Sequence, residues 1–269
     1  MQLAEKAFLM SISYEKYRIG KVHIAVTNPT DAKNRIVEAS LMGQGGYVCV
    51  SNMRTVVYAN QHEDYWKVME NAFMCLPDGT PLVWCGKIWG AKNVARTCGP
   101  HLFRAVLQDN SLKLKHFFLG DTNETIAALT NKCVNEYHTQ VVGSYSPPFK
   151  PLEEYNLKDI ADMINTSGAD IVWTSLRAPK QDFLNSMLMP YLKDNIIVIG
   201  VGAAFRFELG EYKAPDGVLQ KMGLAGIRVK RDGSSFWTEL CWYIKHTFYL
   251  CGYILSIIFK RLAGIKYYE

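Results

Sequence analysis

The chain has 269 residues, of which 49% are hydrophobic and 20% charged, and its formal net charge is +5. This composition excludes a disordered chain and is enough for one large α/β domain with an appendage, or two small domains. Ala225 to Glu269 holds seven basic residues (Arg228, Lys230, Arg231, Lys245, Lys260, Arg261, Lys266) against three acids (Asp232, Glu239, Glu269), four of the five net charges. The body is therefore near neutral, no nucleic-acid partner is expected, and the tail is the basic partner site. Seven cysteines without a Cys-x-x-Cys pair argue against a disulfide framework or a zinc site. The first residues show no basic-then-apolar leader pattern, so a cytoplasmic location is expected.

Residues 1–20 are weakly patterned and read as a lead-in. Lys21 to Val26 alternates like a strand, and Asn28-Pro29-Thr30-Asp31 opens a helix to about Met42. Tyr47 to Val50 reads as a buried strand, with helices following to about Ala59 and from Tyr65 to Asn71. Phe73 to Leu76 is a short strand running into Pro77-Asp78-Gly79, and a helix is predicted from Thr80 to Trp89. Further on, the pattern predicts helices over His101–Gln108, Thr122–Tyr137, Leu157–Ser167 and Gln181–Leu192. Strands are predicted over Lys115–Leu119, Gln140–Gly143, Asp170–Ser175 and Asn195–Gly200. The strands are continuous apolar runs alternating with helices, which indicates an α/β fold with a mostly parallel sheet covered on both faces. Ligands in such folds bind at the C-terminal ends of strands. Asp78, Asp121, Arg177 and Gly202 all fall just after a predicted strand.

Pro77-Asp78-Gly79 has a plain reading as a turn. Its place between an apolar strand and a helix also suits a general base that takes a proton from a sugar hydroxyl. Ile199 to Phe205 forms a glycine-rich turn whose backbone N–H groups at Gly200 and Gly202 can approach a phosphate, or whose glycines serve only tight packing. Phe205 occupies the third glycine position of the dinucleotide fingerprint, which disfavours NAD. In Ala178-Pro179-Lys180-Gln181-Asp182, Lys180 can meet an anionic phosphate and Gln181 opens a helix with an electropositive end, or the segment is only a solvated helix start. Arg96 can reach a diphosphate, or be an ordinary surface arginine. No Asp-x-Asp occurs, so no metal cofactor is expected. Phe236 to Phe259 carries apolar residues at helical spacing, but the uninterrupted part, Thr247 to Phe259, is too short for the roughly 20 residues of a membrane span. An interfacial helix flanked by basic residues fits, and a core or dimer-forming helix is the alternative.

Together these motifs resemble the WecG/TagA/CpsF glycosyltransferase family over about residues 20–225. The resemblance rests on Pro77-Asp78-Gly79, Arg96 to Gly99, Leu119-Gly120, Pro179-Lys180-Gln181-Asp182, Gly200 to Phe205 and Ala214-Pro215, in that order. It implies a Rossmann-like core (1–224) with a C-terminal helical, membrane-associating appendage (225–269). It further implies an inverting, metal-independent transferase acting at the cytoplasmic face of the plasma membrane. The expected partners are a UDP-sugar (N-acetylmannosamine, its uronic acid or a related hexose), a polyprenyl-diphosphate-linked sugar acceptor and the membrane surface, with a homo-oligomer open. The product would feed a cell-surface polysaccharide. On this resemblance Asp78 is the general base. Asn52, with Ser51 beside it, Arg96 and Gln181 line the acceptor or sugar pocket, while Lys180, Gly120, Gly200 and Gly202 flank the substrate. Arg228, Lys230 and Arg231 stand for the appendage arginines that contact the diphosphate. The chain departs from the family pattern at Val50 (usually Thr), Arg54 (Glu), Arg177 (Gly) and Arg206 (Asp). A non-catalytic nucleotide- or lipid-binding scaffold is the alternative reading.

Overall fold

The computed structural model describes residues 14–109, 111, 113–212 and 236–265. Its centre is a six-stranded sheet made of β3 (Gly46–Ser51), β4 (Met74–Pro77), β5 (Lys115–Gly120), β6 (Gln140–Tyr145), β7 (Ile171–Ser175) and β8 (Ile197–Gly200). All neighbours pair in parallel, in the order β4-β3-β8-β7-β5-β6. A separate antiparallel hairpin, β1 (Lys16–Ile19) and β2 (Val22–Ala25), lies at the N-terminal side. The sequence reading left β1 in the lead-in. Its four residues are too few for a pattern, and its burial comes from distant partners: the Tyr17 hydroxyl donates to the Leu82 carbonyl (2.9 Å) and the Trp89 indole to the Arg18 carbonyl (2.7 Å).

Helices cover both faces. One layer holds α1 (Pro29–Leu41), α5 (Gly99–Leu107), α6 (Asn123–Tyr137) and the short α9 (Ala204–Glu208). The other holds α2 (Met53–Gln61), α3 (Glu63–Glu70), α4 (Thr80–Trp89), α7 (Leu157–Ser167), α8 (Lys180–Leu188) and α10 (Phe236–Leu262). Strand residues alternate between the two cores: Tyr47, Cys49, Phe117 and Val198 face the second layer, while Val48, Phe118, Trp173 and Ile199 face the first. From β4 to β5 both faces are buried, which is why those strands lack polar alternation, while the edge strand β6 stays partly exposed. The helix predicted to Leu192 ends at Leu188 and continues as a 3-10 turn over Met189–Tyr191, because Pro190 has no N–H to extend an α-helix.

The tail helix α10 is partly a core element. Ile257 is buried, and Tyr249, Leu250, Tyr253 and Ile254 pack on the body, against α4 and α2. Its other face leaves Phe248 (75%), Leu255 (56%) and Phe259 (69%) exposed. Among the described residues no helix is long and apolar enough to cross a membrane. The boundary expected at 224/225 lies outside the described residues.

Candidate active site

Parallel pairing sends every strand's C-terminus to one edge, and the helix N-termini gather there. β5 leads outward to β6 while β7 crosses back to β8, so their loops diverge and open a crevice. α1, α2, α6 and α7 are capped by the side chains of Asn28, Asn52, Thr122 and Asn156, whereas α3, α8 and α9 have no side-chain cap bond. The ends of α4 and α5, on either side of the Asp78–Arg96 segment, have Gly79 and Cys98 at the cap and no side-chain cap bond. Their positive dipole ends therefore flank the segment carrying Asp78 and Arg96, the mouth of the candidate site.

Asp78 follows β4. Its N–H donates to the Ser51 carbonyl (2.8 Å), which ties the ends of β4 and β3 together. The loop carrying Arg96 is pinned by Ala95 N–H to the Thr27 carbonyl (2.9 Å) and Thr97 N–H to the Pro77 carbonyl (2.8 Å). Arg96 Nε donates to the Asp78 carbonyl (2.6 Å), and its guanidinium lies 3.5 Å from Asp78 Oδ1. The Asp78 side chain keeps 27% of its surface, but Oδ1 is enclosed and has no hydrogen-bond partner. Burial pushes its pKa up to about 6, with Arg96 pulling the other way. A carboxylate that holds its proton to near neutrality is matched to proton transfer.

Asn52 stands beside this pair; a Cβ built on Gly79 would lie 3.7 Å from that of Asn52. The Asn52 side chain caps α2, accepting from the N–H groups of Arg54 (2.9 Å) and Thr55 (3.3 Å). Ser51, by contrast, is buried and its hydroxyl donates back to the Cys49 carbonyl (3.3 Å), so it shapes the strand end without lining the mouth.

Gln181 is also buried, and its Oε1 accepts from the Gly202 N–H (3.0 Å). That donor, expected to approach a phosphate, is engaged by Gln181 instead. Ser175 Oγ donates to the Gly202 carbonyl (2.6 Å). A Cβ on Gly200 would meet Gln181 Nε2 at 2.8 Å, and one on Gly120 would meet the Ser175 carbonyl at 2.7 Å. These two glycines are close-approach positions. Phe205 anchors the turn by packing on Phe103 (5.4 Å) and Phe118 (5.5 Å). Lys180 faces the loop after β6: its ammonium donates to the Lys150 carbonyl and lies over the Tyr155 ring (5.0 Å). Arg228, Lys230 and Arg231 lie outside the described residues.

Three features escaped the sequence reading. Arg206, on α9, clamps Asp121 with Nη2 2.7 Å from Oδ1, across 85 residues of chain. Asp121 (φ 58°) and Arg177 (φ 62°) adopt left-handed backbone beside the crevice, a costly conformation for such residues. Asp182 is fully enclosed; its Oδ2 accepts from the Tyr65 hydroxyl (2.6 Å), Oδ1 has no partner, and burial pushes its pKa up to about 7. In the sequence, Asp121 and Arg177 stood out by their place at strand ends, Arg206 as a departure from the family pattern and Asp182 as the end of the Pro179–Asp182 motif, but none of these showed the contacts.

A model of the glycosyl transferase WecG/TagA/CpsF family matches residues 17–237. The chain belongs to the WecG/TagA/CpsF family. Two relatives are described as N-acetylglucosaminyldiphosphoundecaprenol N-acetyl-beta-D-mannosaminyltransferases. The one from Bacillus spizizenii (strain ATCC 23059 / NRRL B-14472 / W23) is 26% identical over 171 residues, covering 63% of this chain and 65% of its own length. The one from Bacillus subtilis (strain 168) is 25% identical over 171 residues, covering 63% and 64%. The chain thus spans just under two thirds of the relatives it matches. The family match takes in Asp78, Arg96, Gln181 and the glycine-rich turn, and reaches the first residues of α10.

Proposed function

We propose that this chain is a glycosyltransferase that moves N-acetylmannosamine, or a closely related sugar, from a UDP-sugar to N-acetylglucosamine on a lipid diphosphate. The observation that carries the reading is Asp78: a carboxyl of raised pKa, beside Arg96 and two helix ends without side-chain caps, in a chain of this family. The acceptor hydroxyl oxygen attacks the anomeric carbon from the face opposite the diphosphate. Its proton passes to an Asp78 oxygen. The bond between the anomeric carbon and the diphosphate oxygen breaks, and UDP leaves with that electron pair. Attack from the opposite face inverts the anomeric configuration. Arg96 and the N-termini of α4 and α5 offer positive charge to the leaving group. Protein groups supply that stabilisation, so the mechanism is proposed as metal-independent. The exposed apolar side of α10 is proposed to rest on the cytoplasmic membrane surface where such acceptors reside.

The test is UDP release by the purified chain, with EDTA present, from a panel of UDP-sugars and a short-chain lipid-diphosphate N-acetylglucosamine. Acceptor-dependent release from UDP-N-acetylmannosamine, with a product of inverted anomeric configuration by NMR, is expected. UDP binding without release from any donor would favour the scaffold reading instead.

A further inference from the structure

A cleft opens beside α2, on the side of Asn52 away from Asp78. It encloses about 210 Å³ between α2, α3, the Ala178-Pro179 turn and α10, lined by Arg54, Tyr58, Gln61 and His246 among others. Pockets that enclose a whole drug-sized ligand run to about 300–1,000 Å³, so this one suits a single polar group. Its position follows from chain connectivity. Asn52 sits against Gly79, next to Asp78, and accepts the backbone N–H of Arg54. Arg54 is two residues further along α2, about 3 Å of helix rise. On the far side the cleft is walled by His246, and two residues later Phe248 starts the exposed apolar stripe that runs through Leu255 and Phe259.

The order along the surface is thus carboxylate, cationic cleft, apolar stripe. A lipid-diphosphate sugar has the same order of groups: reacting hydroxyl, diphosphate, hydrocarbon. From this juxtaposition we infer that the Arg54–His246 cleft seats the diphosphate of the lipid-linked acceptor, with the lipid leading out along α10. The inference rests on the acceptor class given above and assigns it to particular residues. Arg54 supplies a planar set of donors suited to phosphate oxygens, and a ring N–H of His246 supplies another.

The test is a titration of the full chain, in detergent, with farnesyl-diphosphate-N-acetylglucosamine. UDP, inorganic pyrophosphate and the uncharged farnesyl N-acetylglucosaminide are run as parallel arms. Arg54→Ala combined with His246→Ala is expected to weaken the lipid diphosphate by roughly ten- to hundredfold, the loss expected when charge-assisted hydrogen bonds are removed. UDP and the uncharged glycoside should change less than twofold. Arg54→Lys should recover part of the loss, and matched melting temperatures show that folding is not the cause. Unchanged affinity for the lipid diphosphate in the double variant, or equal weakening of UDP, overturns the inference. So does pyrophosphate binding as tightly as the lipid diphosphate, which would make the cleft a site for free anions. A wild-type chain that binds the lipid diphosphate but transfers no sugar refutes the transferase reading and leaves the acceptor cleft standing.

Discussion

Asp78→Asn should make the protein more stable while disabling it. The wild-type carboxyl rises from 3.8 to about 6 on folding because burial strips its water, an effect that the nearby Arg96 guanidinium only partly offsets. A shift of about two units corresponds to about 3 kcal/mol. With 27% of the side chain still open to solvent, about 1–3 kcal/mol is the reasonable range. The sign follows from a raised folded-state pKa. Below pH 3.8 the group is neutral folded or unfolded and costs nothing; as pH rises through about 6 the folded state must carry a poorly solvated charge. The amide carries none. At pH 8 the variant should therefore melt roughly 2–12 °C above wild type, at about 2–4 °C per kcal/mol for a domain of this size, and the gap should close by about pH 3.5. Differential scanning fluorimetry across pH 3.5–8 reads this directly. Sugar transfer should fall about 10²- to 10⁴-fold, the range for a general base. A variant that melts at or below wild type at pH 8 would refute the burial argument, and near-normal transfer would remove Asp78 from the reaction.

Three other outcomes are expected. Gln181→Ala removes the acceptor for the Gly202 N–H from a buried site; it should lower stability by about 1–3 kcal/mol and weaken UDP binding, as titration calorimetry would show. Asp182→Asn should raise stability at pH 8 more than at pH 5, since burial lifts the carboxyl from 3.8 to about 7 and its cost builds up between those two values and is complete only above about 7; equal stabilisation at both pH values would contradict this. Leu255→Glu with Phe259→Glu should abolish pelleting with anionic vesicles while leaving UDP affinity within twofold, because both side chains lie on the outer face of α10; unchanged pelleting would remove that face from the membrane.

Much of this fold could be read from local chemistry. Asn28, Thr122 and the glycine-rich turn mark helix starts and strand ends in the sequence, and they occupy those places in the structure. The apolar strand runs predicted a sheet covered on both faces because a buried parallel sheet has no wet side to impose alternation. The contacts that assemble the mouth were hidden by their separation in the chain. Gln181 and Gly202 are 21 residues apart, Arg206 and Asp121 are 85, and Tyr65 and Asp182 are 117. Each pair meets only because β5, β7 and β8 are neighbours, or because α3 packs on α8. The tail shows the same limit. Its periodicity predicts an amphipathic helix, but only packing separates Ile257, set against the body, from Phe259, which is exposed.

The most direct test of the central claim is a single-turnover transfer from UDP-N-acetylmannosamine to a short-chain lipid-diphosphate N-acetylglucosamine, run with wild type and Asp78→Asn across pH 5–8. Wild-type transfer should rise about tenfold per pH unit below about 6 and level off above it, and the variant should be slow and flat throughout. A wild-type profile without that inflection, or a variant that keeps it, would contradict the role assigned to Asp78.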